Sequence, residues 1–170
     1  MDMNEKETID KNQEELIARN GFVHFVLAHG YVLFFFAIIL GVILDVFIKI
    51  EIFQSLICSK IGTVMIFLGS CLIYWAQRAS KTAAKTSPEN PTEKSFEHGP
   101  YKYFRNPTYL GLLIMTIGLG LVIHSFFAVV LAVTSHLFIK YIFVKKEERL
   151  LEVKYGHLYN NYKKKVKSWI

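Results

Sequence analysis

The chain has 170 residues, 52% of them hydrophobic and 20% charged, with a formal net charge of +6 and a mean hydropathy of +0.30. So many apolar and charged residues coexist only if they are segregated along the chain, which excludes an ordinary water-soluble domain. The basic excess does not call for nucleic acid, because Lys and Arg collect beside membrane spans on the cytoplasmic side.

Met1 to Asn20 is polar and of mixed charge (Glu5, Lys6, Glu7, Asp10, Lys11, Glu14, Glu15). It lacks the basic start and apolar core of a cleaved signal. Residues 1–21 are read as a polar cytoplasmic segment, and 22–170 as a single membrane-embedded domain. The first apolar run covers 22–48, and from Tyr31 onward its only other ionisable group is Asp45. A charge at the centre of a span costs ~2.5–3.5 kcal/mol. Asp45 lies just before Lys49, so it is placed near the outer interface in a structural role. The second run covers 56–77 and holds Cys58 and Cys71, read as small apolar side chains and not as a disulfide.

The following segment carries Arg78, Lys81, Lys85, Lys94, Lys102 and Arg105. Within it, Ser87-Pro88-Glu89-Asn90-Pro91-Thr92 cannot continue one regular helix. The next two runs, 107–123 and 126–144, form a hairpin with His124-Ser125 as its turn. Each run approaches the ~20 residues that a helix needs to cross ~30 Å of hydrocarbon. Four spans with both termini cytoplasmic put each basic cluster on the inner side, as the positive-inside rule asks. The fold class expected is therefore all-α and polytopic, with about four transmembrane helices. The tail, 145–165, reads as an amphipathic interfacial helix that Gly156 kinks or breaks.

One consequence of this topology concerns function. The polar loop before the hairpin and the carboxylate pair Glu147-Glu148 after it must lie on the same side of the membrane. Asn106-Pro107 has a plain structural reading, a helix N-cap followed by proline in the first turn. The same helix start offers free N–H groups to a carboxylate or phosphate. Arg105 reads as an interfacial charge or as a partner for such an anion. Glu147 and Glu148 read either as a solvated patch beside Lys145, Lys146 and Arg149, or as two faces of one helix. In the second case Glu147 enters an apolar and aromatic pocket suited to an ammonium group, while Glu148 pairs with a basic residue. His98-Gly99-Pro100-Tyr101 reads as a turn, with Tyr101 and Tyr103 at the interface. His124, Ser125 and His136 are read as turn and packing residues, and no metal site is expected.

Taken together, Gly99-Pro100-Tyr101, Arg105-Asn106-Pro107-Thr108-Tyr109-Leu110-Gly111, Glu147-Glu148-Arg149-Leu150-Leu151 and Tyr155-Gly156-His157-Leu158-Tyr159-Asn160-Asn161-Tyr162 carry a resemblance. From His98 to Tyr162 the chain resembles the isoprenylcysteine carboxyl methyltransferase family, which is related to the phospholipid N-methyltransferases. The resemblance implies an S-adenosylmethionine-dependent methyltransferase acting on a lipophilic or lipid acceptor from the bilayer, in a compact prokaryotic version. It implies that Glu147 binds the ammonium of the cofactor. Asn106, Pro107, Thr108 and Tyr109 would hold its carboxylate, and Tyr101, Ser95 and Phe96 would border the nucleoside, with His98 and Gly99 beside them. Arg105 and Glu148 are the implied catalytic pair, Arg105 orienting an anionic group. Asn106 stands where the family has His, so this position cannot act as a base near neutral pH. The chain also lacks the Pro that commonly follows Val in the family, here at Val166. The acceptor atom stays open between carboxylate oxygen, amine nitrogen and thiol sulfur. Two other readings stand beside this one: a membrane reductase of sterol-reductase type using a nicotinamide dinucleotide, and a non-enzymatic four-span scaffold.

Overall fold

The computed structural model describes residues 31–48, 50, 52–53, 55–85 and 96–166. The polar segment 1–21, residues 22–30 of the first apolar run and the proline-marked loop lie outside the described residues. So does Ser95, one of the expected nucleoside neighbours. Among the described residues every regular element is helical: α1 (Tyr31–Phe47), then α2 (Leu56–Lys85), a 3₁₀ turn (Gly99–Lys102), α3 (Pro107–Val122), α4 (Phe126–Ile139), a π-helical segment (Lys140–Val144), α5 (Lys145–Tyr155) and α6 (His157–Lys165).

Two helices are long and apolar enough to cross a membrane, Leu56–Ala83 and Phe126–Val153, while Tyr31–Phe47 and Pro107–Val122 are apolar but shorter. Only 11% of the apolar window of the first of these two is buried inside the protein. Its outward side chains include Phe67 and Leu68, and α1 presents Phe35, Phe36 and Phe47 in the same way. Apolar surface of this extent needs a nonaqueous partner. In a chain of this composition that partner is lipid.

Lipid does not drive helices together by the hydrophobic effect, so close backbone approach has to do it. Glycines at seven-residue spacing on α2 and α3 provide that approach. A Cβ built on Gly62 would lie 2.5 Å from the Gly118 carbonyl oxygen, and one on Gly69 would lie 2.6 Å from that of Gly111. Gly62 meets Gly118 while Gly69 meets Gly111, so the two helices run antiparallel. Helices α1 and α4 pair likewise, with Gly41 against Ala128 and Phe34 beside His136. The core clusters Phe34, Tyr109, Leu112, Ile139 and Val144.

The antiparallel order gives the bundle two ends. At one, Gln77 donates a hydrogen bond to the Tyr31 hydroxyl at 3.1 Å, which levels the end of α2 with the start of α1. At the other, the Ser125 hydroxyl donates to Asp45 and accepts from the Ala128 N–H at 3.1 Å, capping α4. His124, with φ +58, lies 2.9 Å from the Ser59 hydroxyl. Asp45, His124 and Ser125 thus hold the hairpin turn, in the structural roles read from sequence.

Two boundaries move. Helix α2 continues past Gln77 to Lys85, because Arg78, Ala79, Lys81, Ala83 and Ala84 are good helix formers that need no apolar surroundings. The helix that carries the fourth apolar run does not stop at Val144 but passes without a break into the tail. The break expected at Gly156 is present: it adopts φ +53 and ψ −124 and separates α5 from α6.

Candidate active site

The site lies at the Tyr31–Gln77 end, where the turn before α3 meets the helix after α4. Arg105 Nη1 is 3.3 Å from Glu148 Oε1, and both side chains are nearly covered. The other Glu148 oxygen lies 3.1 Å from Lys163 Nζ, and Lys163 also reaches Glu152 at 2.7 Å. A second link joins the tail to the turn: the Tyr162 hydroxyl donates to the Tyr101 carbonyl at 2.7 Å. The two flanks of the hairpin therefore face one another, as the topology argument requires.

The π-helical segment sets what the carboxylates point at. The buried positions of α4, Ala128, Ala132, His136 and Ile139, recur every three or four residues, but the next is Val144. That five-residue step is the mark of a π-turn. It rotates everything beyond it, so that Glu147 is turned toward Tyr101 and Tyr109 and lies within electrostatic reach of both. The Glu147 carboxyl, beyond the apolar run, is surrounded by protein although the residue as a whole keeps some surface. Burial first, and then the neighbouring Glu148 charge, push it up to about 7. Among the described residues this carboxyl has no ion-pair partner, and it is a ready partner for a cation.

Around it, Tyr101 hydrogen-bonds the Thr108 and Ser80 side chains, and burial raises its phenol. The Tyr109 hydroxyl and the Nε of Arg105 are buried without hydrogen-bond partners among the described residues. Buried donors left open beside a carboxyl form a set able to take a ligand with an ammonium and a carboxylate. These orphaned groups fit an amino-acid-bearing cofactor on their chemistry.

Not every expected residue falls where the sequence put it. Asn106 precedes α3, but its side chain makes no capping hydrogen bond; φ −131 and ψ 62 hold it outside the usual cap geometry. Pro107, Thr108 and Tyr109 are buried in the first turn of α3 as anticipated. Phe96 packs in an aromatic cluster with Tyr155, Tyr159 and Tyr162, at ring separations of 5.0, 5.6 and 5.7 Å. The aromatic face of the tail is thus spent partly on Phe96, and Tyr159 and Tyr162 are buried. His98 and Gly99 line a groove against α2. Sequence reasoning missed Tyr31, Lys163 and the Tyr162 tether. Of these, only Tyr31 had a visible signal, as the one polar aromatic opening the apolar run 31–48.

The profile of the phospholipid methyltransferase family matches residues 57–157, more than half of the chain. The chain belongs to that family. The match spans α2, the Arg105 turn, the hairpin and Glu147-Glu148, so the membership covers both halves of the site. No curated protein and no solved structure matches the chain. Methyl transfer in a membrane is the activity that the family implies.

Proposed function

We propose that the protein is an S-adenosylmethionine-dependent methyltransferase of a prokaryotic cytoplasmic membrane, with four spans and both termini cytoplasmic. Its acceptor is a small lipophilic molecule or lipid presenting a carboxylate, amine or thiol. The observation that supports this most is the Glu147 carboxyl, enclosed by tyrosines and raised in pKa, facing the turn that carries Arg105. Glu147 takes the ammonium of the cofactor. The N–H groups of Thr108 and Tyr109, in a first helical turn where no intrahelical acceptor exists, take its carboxylate, with the open Tyr109 hydroxyl beside them. When bound, the cofactor supplies a methyl group on a sulfonium, ready for direct displacement.

The residues of the chain then have only to bind, orient and keep water out. Arg105 keeps donor capacity beyond its Glu148 contact and orients an anionic acceptor or the cofactor carboxylate. Glu148 holds Arg105 in place and touches no reacting atom, a positioning role in place of the catalytic one first expected. Asn106 supplies no base, which favours an acceptor that is already nucleophilic when it arrives. The resemblance to isoprenylcysteine carboxyl methyltransferases makes a carboxylate acceptor the first to try.

Titration calorimetry on the detergent-purified protein with S-adenosylmethionine and, separately, with reduced nicotinamide dinucleotide tests this reading. Binding of the first and none of the second is expected. Dinucleotide binding without an S-adenosylmethionine signal points to the reductase instead, and loss of neither with Glu147→Ala and Tyr109→Ala points to the scaffold.

A further inference from the structure

The outer face of α2 carries a recess that Glu147 does not line. Tyr74, Arg78 and Thr82 form one row at four-residue spacing along the helix, with Trp75 beside it, and the His98-Gly99 turn closes one end. Together they bound a groove of about 560 Å³. The turn can seat on α2 because residue 99 is glycine: φ is +52 and an added Cβ would lie 2.6 Å from the Ala79 Cβ. Two residues further on, Tyr101 lies with Thr108 and Glu147. One turn therefore borders the groove on one side and the surroundings of Glu147 on the other.

This groove straddles a chemical boundary. On the Phe67–Leu68 side α2 is outward-facing and apolar, and from Arg78 onward it is polar. Tyr74 and Trp75, 66% and 47% exposed, stand at the transition, the depth at which amphipathic rings meet lipid headgroups. Among the described residues the lining offers a guanidinium and an imidazole and contains no carboxylate. Among the described residues Arg78 enters no ion pair. A choline or ethanolamine ammonium would need a carboxylate, which is missing here. An anionic phosphate needs a donor fork, and Arg is the side chain whose geometry matches one.

We propose that this groove binds the phosphate of one anionic membrane phospholipid through Arg78 and His98, with an acyl chain lying along Tyr74 and Trp75. The site is independent of the cofactor reading and lies outside the methyl-transfer cleft. Its occupant anchors the loop end of α2, and with it the Gly99 turn that backs Tyr101.

The chain has two tryptophans, so Trp169→Phe leaves Trp75 as the only one and makes its fluorescence a reporter on the groove. The protein is reconstituted into phosphatidylcholine vesicles containing a small fixed share of chain-brominated phosphatidylglycerol or chain-brominated phosphatidylcholine. Quenching should favour phosphatidylglycerol by about fivefold, the factor that one arginine facing an anionic lipid supplies. Unlabelled phosphatidylglycerol should relieve it, whereas unlabelled phosphatidylcholine should not. Arg78→Gln, checked for helix content by circular dichroism, should bring the ratio close to one. Equal quenching by the two lipids, equal relief by both competitors, or a preference that survives Arg78→Gln would each overturn the proposal. The relief experiment keeps its force even if the Arg78 variant does not fold.

Discussion

Arg105 and Glu148 meet at 3.3 Å, and through them the turn that opens the hairpin is fastened to the helix that leaves it. The pair is nearly covered, and Glu148 also serves Lys163. Removing the shared carboxylate should therefore cost more than removing either cation's contact alone. Glu148→Ala leaves Arg105 buried and uncompensated, an arrangement that costs about 3 kcal/mol. Lys163 is 36% exposed, so Lys163→Met should lose less than about 1 kcal/mol. Thermal unfolding of both variants in the same detergent gives the comparison. Equal losses would show that the Arg105 contact adds nothing.

On the proposed function, Glu147 should set the pH response of ligand binding. Its carboxyl is pushed up to about 7, first by burial and then by Glu148. Below that pH it is neutral and cannot pair with an ammonium; above it, it can. Affinity for S-adenosylmethionine should rise as pH passes through about 7, then fall again near ~8 as the ligand's own α-amino group loses its proton. Glu147→Gln should remove the lower limb and weaken binding about thirtyfold near neutrality, the lower end of what unpairing a buried charge costs. Calorimetry across pH reads both effects.

The same shift has the opposite sign for the ligand-free protein. A carboxyl whose pKa is raised on folding means that the native state holds the extra proton. Its contribution is fully present below the ordinary carboxylate range and disappears as pH rises through about 7. The unliganded protein should thus lose thermal stability between pH 6 and pH 8 relative to Glu147→Gln, by about 1 kcal/mol. A parallel pH profile for the two proteins would contradict the assignment.

Close backbone contact, and not side-chain burial, joins α2 to α3. A Cβ on Gly118 would lie 2.6 Å from the Gly62 carbonyl oxygen, whereas one on Gly120 would meet a Val129 side-chain carbon at 2.7 Å. Side-chain ends can shift; a helix backbone cannot without moving the helix. Gly118→Ala should cost about 1–3 kcal/mol by overpacking, and Gly120→Ala distinctly less. Comparative thermal unfolding decides it, and the reverse ranking would rule out the glycine contact as the organising one.

The π-helical segment Lys140–Val144 supplies one extra residue ahead of the carboxylates. Deleting Ile142, an exposed member of it, should restore α-helical register and turn Glu147 about 100° away from the tyrosines. S-adenosylmethionine binding should be lost while helix content stays near that of the parent, as followed by calorimetry and circular dichroism. Retained binding would mean that the π-turn does not aim Glu147.

Much of this architecture is legible in the chain. Apolar runs nearly free of charge between Tyr31 and Val144 announce helices in lipid, because unpaired backbone in hydrocarbon permits little else. The placement of Arg78, Lys81, Lys102 and Arg105 against the bare His124-Ser125 turn announces which ends share a side. Asp45 near Lys49 announces an interfacial, structural carboxylate, and the Ser125 hydroxyl is what it found. Gly156 announces the break between α5 and α6.

Other features have no local signature. That Glu148 takes Arg105 while Glu147 turns inward depends on the π-turn, and a π-turn is one residue of mismatch in a run whose composition is uniformly apolar. Asn106 looks like a cap by residue type, yet the turn leading to it sets backbone angles at which its side chain reaches no helix N–H. Phe96 packs among three tail tyrosines, a cluster that residue order does not announce. The seat of Gly99 on Ala79 likewise exists only once α2 and the turn are side by side. Residue order alone determined the class, the helices and the common side of the two polar flanks, since those follow from hydrophobicity and charge summed over many positions. Which carboxylate faces the cavity was left to packing, because a helix turns each residue about 100° and only its neighbours hold the rotation in place.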